Sequence, residues 1–177
     1  MGVLADALSA LAKADCPVLL IGGNALPAFG ISRATVDVDC LIATDSAEQL
    51  KAVLAANGFP HAGRMFSFHE FWHQGNPADP PIHAMFVDSA TFVKIWSRSI
   101  PTEVSGMPLR VPCLAHFIVL KLFAMKSNPK RIHKDLRDVH LLLEANPGVV
   151  SRAELQEICE RYASQTVVEE LKRAGYL

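Results

Sequence analysis

The chain has 177 residues, half of them hydrophobic and a fifth charged, with a formal net charge of −1. That balance supplies a core for one ordinary domain and excludes a disordered or broadly basic chain. Any contact with nucleic acid must then be local, and the apolar runs fall short of the roughly 20 residues that a membrane helix needs. The N-terminus carries Asp6 and no basic stretch, so neither a secretory signal nor a myristoylation start is expected. Cys16, Cys40, Cys113 and Cys159 lie far apart without a CxxC pair. This reads as reduced thiols in a cytoplasmic protein, against a disulfide or zinc framework.

Val3, Leu4, Leu8 and Leu11 recur at helical spacing and predict a helix over residues 2–14, ended by Pro17. Val18 to Ile21 is fully apolar and reads as a buried strand. Gly22-Gly23 breaks it, and Asn24 opens a short helix that ends near Gly30. Val36 to Ile42 alternates with period two and predicts a strand. Asp45 reads as an N-cap with Glu48 three residues on, for a helix closing at Asn57-Gly58. The aromatic stretch 65–72 predicts one strand, Gly75 to Pro81 a turn, and Ile82 to Val87 a strand that pairs with it as a hairpin. A helix over 89–97 and a hairpin turning at Ser105-Gly106 follow.

From Pro112 the pattern becomes helical. Helices are expected over 113–126 and 130–144, and from Ser151 with a break near Ser164. The layout is an α/β core over residues 1–111 and a helical C-terminal region over 112–177, expected to share one core.

The chemistry concentrates in residues 19–42. Alternate residues of a strand share a face, so Asp37 and Asp39 fall roughly 7 Å apart on one side. Two such carboxylates repel unless a cation sits between them, and Mg²⁺ prefers one or two carboxylates plus substrate phosphates. The opposite face, Val36, Val38 and Cys40, is apolar. Upstream, a Gly-Gly turn between strand and helix offers backbone N–H groups to an anion. Asn24 could bond a phosphate or a base, and Arg33 and Thr35 add a charge and a hydroxyl. Singly, each piece is more often a turn, a solvated strand face or a surface arginine.

In this order, strand, G-G-x-A, short helix, R-x-T-x-D-x-D, the segment resembles the active-site motif of the DNA polymerase beta-like nucleotidyltransferase superfamily. More narrowly, it is similar to small bacterial proteins related to abortive-infection toxin nucleotidyltransferases. The matching residues are Gly22, Gly23, Ala25, Arg33, Thr35, Asp37 and Asp39. Looser similarity continues through Val111-Pro112, Leu120-Lys121-Leu122, Lys134-Asp135 and Asp138, so it covers residues 17–143. The resemblance implies a nucleotidyltransferase-like mixed twisted sheet flanked by helices. It also implies transfer of a nucleoside monophosphate from an NTP (ATP or another ribonucleotide) to an unidentified hydroxyl or phosphate acceptor, with release of pyrophosphate. Asp37 and Asp39 would hold Mg²⁺, with Mn²⁺ as its substitute, and Gly22 and Gly23 would hold the phosphates.

The superfamily places a third carboxylate on a neighbouring strand, and here the matching position holds His83. Imidazole can accept a proton or ligate a metal, yet it adds no negative charge. Glu70, Asp79 and Asp88 are the acids that could replace it. A competing reading is therefore a catalytically degenerate scaffold that binds a nucleotide or a protein partner, in a toxin–antitoxin-like setting. Near-neutral charge disfavours long nucleic acid as acceptor. Lys121, within an apolar helix, either snorkels to solvent, faces a phosphate or pairs with a carboxylate. Asp135 reads as a solvated residue beside Lys134 and Arg131, and Asp138 as an ion-pair partner of Lys121.

Overall fold

Strands and helices alternate through the first part of the computed structural model, which describes residues 3–14, 16–65, 67–75 and 79–177. Helix α1 (Val3–Ala12) is followed by β1 (Leu19–Ile21), a 3₁₀ helix over Gly22–Phe29, and β2 (Val38–Ala43). A short 3₁₀ turn, Thr44–Ser46, leads into α2 (Ala47–Ala56), then β3 (His61–Met65), β4 (Phe68–Phe71) and β5 (Ile82–Val87). Next come α3 (Ser89–Ser97), β6 (Ile100–Val104) and β7 (Met107–Val111).

The main sheet has the order β1-β2-β5-β4-β3. Strands β2 and β5 run parallel, and the other neighbours are antiparallel. A parallel pair needs a crossover, and here α2, β3 and β4 supply it. Strands β6 and β7 form a separate hairpin. Its turn places Ser105 at φ 52° and Gly106 at φ 78°, the left-handed pair that matches strand twist in a two-residue turn. All of β1 is buried, as its unbroken apolar run requires, with β7 beside it.

Two compact units divide the chain: residues up to Ala28 with Ser32–Pro112, and Phe29–Ile31 with Cys113–Leu177. The second unit is helical, with α4 (Leu114–Ser127), a 3₁₀ turn over Pro129–Arg131, α5 (Ile132–Ala145), α6 (Arg152–Tyr162) and α7 (Gln165–Arg173). Ser151 and Ser164 cap α6 and α7 through their hydroxyls, each satisfying an otherwise orphaned backbone N–H. Its core includes Phe117, Ile118, Leu122, Val139, Leu142, Val167 and Leu171. Phe29 belongs to this unit, stacking on Phe117 at 5.4 Å between ring centroids. The Phe29 carbonyl accepts from the Asn146 amide at 3.1 Å.

Several elements depart from the sequence pattern. Strand β2 begins at Val38, so Asp37 lies just ahead of it, and Val36 is 66% exposed instead of lying on a buried face. Ser46 rather than Asp45 stands at the N-cap of α2, and the Ser89 hydroxyl donates to the Asp45 carboxylate. The aromatic stretch is split between β3 and β4, and the hairpin partner of β5 is β4. Phe71 is buried, Trp72 is exposed, and Phe66 lies outside the described residues. So do residues 76–78 of the expected turn.

Among the described residues no helix is long and apolar enough to cross a membrane. Burial raises the Cys40 thiol far above its ordinary pKa and pushes Cys159 up to about 11, whereas Cys16 and Cys113 are partly exposed. Only the thiolate reacts. Alkylation of the native protein with iodoacetamide is thus expected to label Cys16 and Cys113 well before Cys40 and Cys159. Peptide mapping over time checks the order, and early labelling of Cys40 would contradict the burial.

Candidate active site

A cluster of polar side chains gathers where β1 ends and β2 begins. Gly22 sits at φ +68°, a left-handed conformation that glycine adopts without a Cβ penalty. A Cβ there would fall 2.0 Å from Asp39 Oδ2. The absence of a side chain on Gly22 is what lets the Asp39 carboxylate lie against the backbone. On Gly23 a Cβ would fall 2.7 Å from the Thr35 side chain, so Thr35 closes over the second glycine. Asn24, 8% exposed, donates from Nδ2 to the Asp37 carbonyl at 2.7 Å. That bond ties the turn to the residue just ahead of β2. Arg33 is half-buried in the segment between Gly30 and β2.

The sheet register brings the next groups in. Asp39 on β2 pairs with His83 on β5, and His83 pairs with Glu70 on β4. His83 Nδ1 lies 3.3 Å from Asp39 Oδ1, and its Nε2 lies 3.5 Å from Glu70 Oε1. One imidazole thus spans two carboxylates from the strands on either side. The hydrogen bond to Asp39 holds His83 above the ordinary histidine pKa against partial burial, and the charges of Asp39, Asp37 and Glu70 add to it. In metal-free protein His83 should therefore titrate above the usual value of about 6.5, and Asp39→Asn should bring it down. An NMR titration of the imidazole in both proteins checks this, and an unchanged value in the variant would count against the hydrogen bond.

Of the other acids, Asp79 lies 2.8 Å from His73, and Asp88 caps α3 by accepting from the Thr91 backbone N–H at 2.9 Å. Glu70 is the one brought to His83. Sequence names Glu70 as one of three candidate acids but not its facing, because which face of β4 it occupies depends on pairing with β5. His69 on β4 stands against His61 on β3, with 3.1 Å between ring nitrogens.

Lys121 lies in the second unit and does not present its charge to solvent. It is 5% exposed, with Nζ 2.8 Å from Asp135 Oδ1 and 2.7 Å from Asp138 Oδ2. Of the roles open to it, carboxylate pairing is the one the structure shows. Asp135, expected on a solvated face, is fully buried and also accepts from Arg131 Nε at 2.7 Å. Burial pushes its carboxyl up, but Lys121 and Arg131 together hold it below the ordinary value.

The acids around β2 are few for a divalent cation. Among the described residues no group of three or more His, Cys, Asp or Glu side chains is placed to hold a metal. Mg²⁺ needs only one or two carboxylates, with water and phosphate completing its shell. Asp37 and Asp39, two residues apart and both partly exposed, supply that number of carboxylates.

No family model matches the chain, and no curated protein does. Solved structures do. ANT(2″)-Ia in complex with adenylyl-2″-tobramycin is 15% identical, with a TM-score of 0.67 over 91% of this chain and 97% of that one. An antigenic nucleotidyltransferase-like protein from Paracoccidioides brasiliensis is 14% identical, with a TM-score of 0.61 over 97% and 86%. JHP933 from Helicobacter pylori is 18% identical, with a TM-score of 0.52 over 86% and 68%. At these identities the likeness establishes the fold, a nucleotidyltransferase-like mixed sheet with flanking helices.

Proposed function

We propose that the chain transfers a nucleoside monophosphate from an NTP to a hydroxyl or phosphate acceptor, releasing pyrophosphate. The observation that carries this reading is the Asp39 carboxylate seated on Gly22 beside the only acid–imidazole–acid bridge found along the sheet among the described residues. Backbone N–H groups of Gly22 and Gly23, at the entry to the 3₁₀ helix, would hold the phosphates, with Arg33 adding charge. Asn24 would act by fixing the Asp37 main chain. Asp37 and Asp39 would hold Mg²⁺ or Mn²⁺. Bound there, the metal neutralises charge that builds on the phosphoryl oxygens and the leaving pyrophosphate.

Glu70 takes the place of the third carboxylate in this reading and accepts the proton of the attacking hydroxyl. His83 keeps Asp39 and Glu70 in place, since a protonated imidazole between two carboxylates cancels their repulsion. A general base contributes about 10²–10⁴-fold, so Glu70→Gln should slow pyrophosphate release by about a hundredfold with little change in NTP affinity.

A second reading, the degenerate binding scaffold, is favoured by the imidazole at the third-acid position. His83→Asp separates the two. If the native protein turns over and His83→Asp slows it, the bridge is part of a working site. If the native protein releases no pyrophosphate and His83→Asp gains activity, the scaffold has lost catalysis at this residue.

A further inference from the structure

Between Glu103 and Glu144 the sequence carries two acids, Asp135 and Asp138. Both are turned inward and held by Lys121, with Arg131 also on Asp135. The cations around them are not turned inward. Lys126 in the last turn of α4, Lys130 in the 3₁₀ turn, and Lys134 and Arg137 on α5 are all exposed. None of these four forms an ion pair among the described residues. Lys134 and Arg137 are three apart on α5 and share a face, and Lys130 stands in the 3₁₀ turn that leads into α5. The outer side of this segment therefore shows positive charge alone, in a chain whose net charge is −1.

An aromatic side chain accompanies the charge. Phe123 is 46% exposed and lies three residues before Lys126 on α4, so the two are neighbours on the helix surface. No other large hydrophobic side chain between residues 113 and 143 is exposed. A membrane-binding helix needs a continuous apolar face, and a stable protein interface needs an apolar centre. Neither is present. Unneutralised cations beside one open aromatic ring suit a strand whose phosphates and bases are both accessible.

We propose that this face of the C-terminal unit binds single-stranded nucleic acid, with Lys126, Lys130, Lys134 and Arg137 on phosphates and Phe123 stacked on a base. Binding here goes beyond nucleotidyl transfer and does not depend on it, because no residue of the β2 site takes part.

The test is fluorescence anisotropy of a short labelled single-stranded RNA, and of its DNA counterpart, without NTP or Mg²⁺. Affinity should fall as salt rises. Lys134→Glu with Arg137→Glu should weaken binding and lower the log–log salt slope by about 1.4, two phosphates at about 0.7 each. Phe123→Ala should weaken binding about tenfold and leave the slope unchanged, as loss of one stacked base does. Binding of either strand supports the proposal, and the preference between them identifies the source. All three side chains are exposed, so circular dichroism should show the variants folded. No salt-dependent binding by the native protein overturns the proposal. Heparin or anionic vesicles bound as tightly as the oligonucleotide, with Phe123→Ala unaffected, would equally overturn it.

Discussion

Replacing Asp37 and Asp39 together by asparagine is expected to abolish Mg²⁺-dependent NTP binding and to lower pyrophosphate release by about a thousandfold or more, while the protein stays folded. Asparagine keeps the volume and loses the charge, and both carboxylates are only partly buried. Calorimetric titration of each NTP, with and without Mg²⁺, reads the effect. Unchanged affinity in the double variant would remove the site from β2. Gly22→Ala offers a companion measurement through shape alone. Its Cβ would fall 2.0 Å from Asp39 Oδ2, on a residue at φ +68°. The left-handed backbone alone costs about 1–2 kcal/mol, and the carboxylate must move as well. Gly22→Ala should therefore lose transfer activity with both aspartates still present. Retained activity would mean that Asp39 need not rest on Gly22.

The second large effect is expected in the helical unit. Lys121→Met leaves Asp135 and Asp138 buried at 0% and 1% exposure without their shared cation. Removing one partner of a buried ion pair costs about 3–5 kcal/mol, a large part of the stability of an ordinary domain. Adding Asp135→Asn and Asp138→Asn to Lys121→Met should restore most of it, since no unpaired buried charge then remains. Urea denaturation of the three proteins decides the matter. A Lys121→Met protein as stable as the native one would show that the network contributes nothing net. The same network sets an acid limit. The folded-state pKa of Asp135 lies below its unfolded-state value. Its contribution is therefore complete above the unfolded-state value of about 3.9 and is lost as pH falls through the lower folded-state one. Asp135→Asn should flatten that acid-side loss.

What sequence makes legible here follows the range of the interactions involved. Alternation in Val-Asp-Val-Asp-Cys-Leu-Ile marks a strand, because the pleat repeats every two residues. It does not show that the strand starts one residue after Asp37, where the Val38 N–H donates to the Pro81 carbonyl at 3.3 Å, a partner 43 residues away. Ser151 and Ser164 announce their helices through bonds three residues long, and both caps form. Strand β3, His-Ala-Gly-Arg-Met, has no buried side and so carries no period to read. Glu70 and Asp135 cannot be placed from sequence for a shared reason. Each is defined by a residue 13 or 14 positions away in sequence, His83 and Lys121, so their roles depend on register and packing. The Gly-Gly and Asp-x-Asp pieces stand out because their chemistry lies within one short segment.

Phe29–Ile31 has a consequence for how the protein is made. The ribosome delivers the segment that carries Gly22 and Asp39 early, and domains tend to fold in order of synthesis. Three residues in the middle of that segment belong to the helical unit, whose remaining chain begins at Cys113. Phe29 therefore waits for Phe117 and Asn146, each emerging some 90 residues or more later. Residues 29–31 cannot take their final place before Phe117 and Asn146 are made, and a cut after Pro112 would strand Phe29 without its partners. Completion of the site-bearing segment thus waits for α4 and α5 to be made.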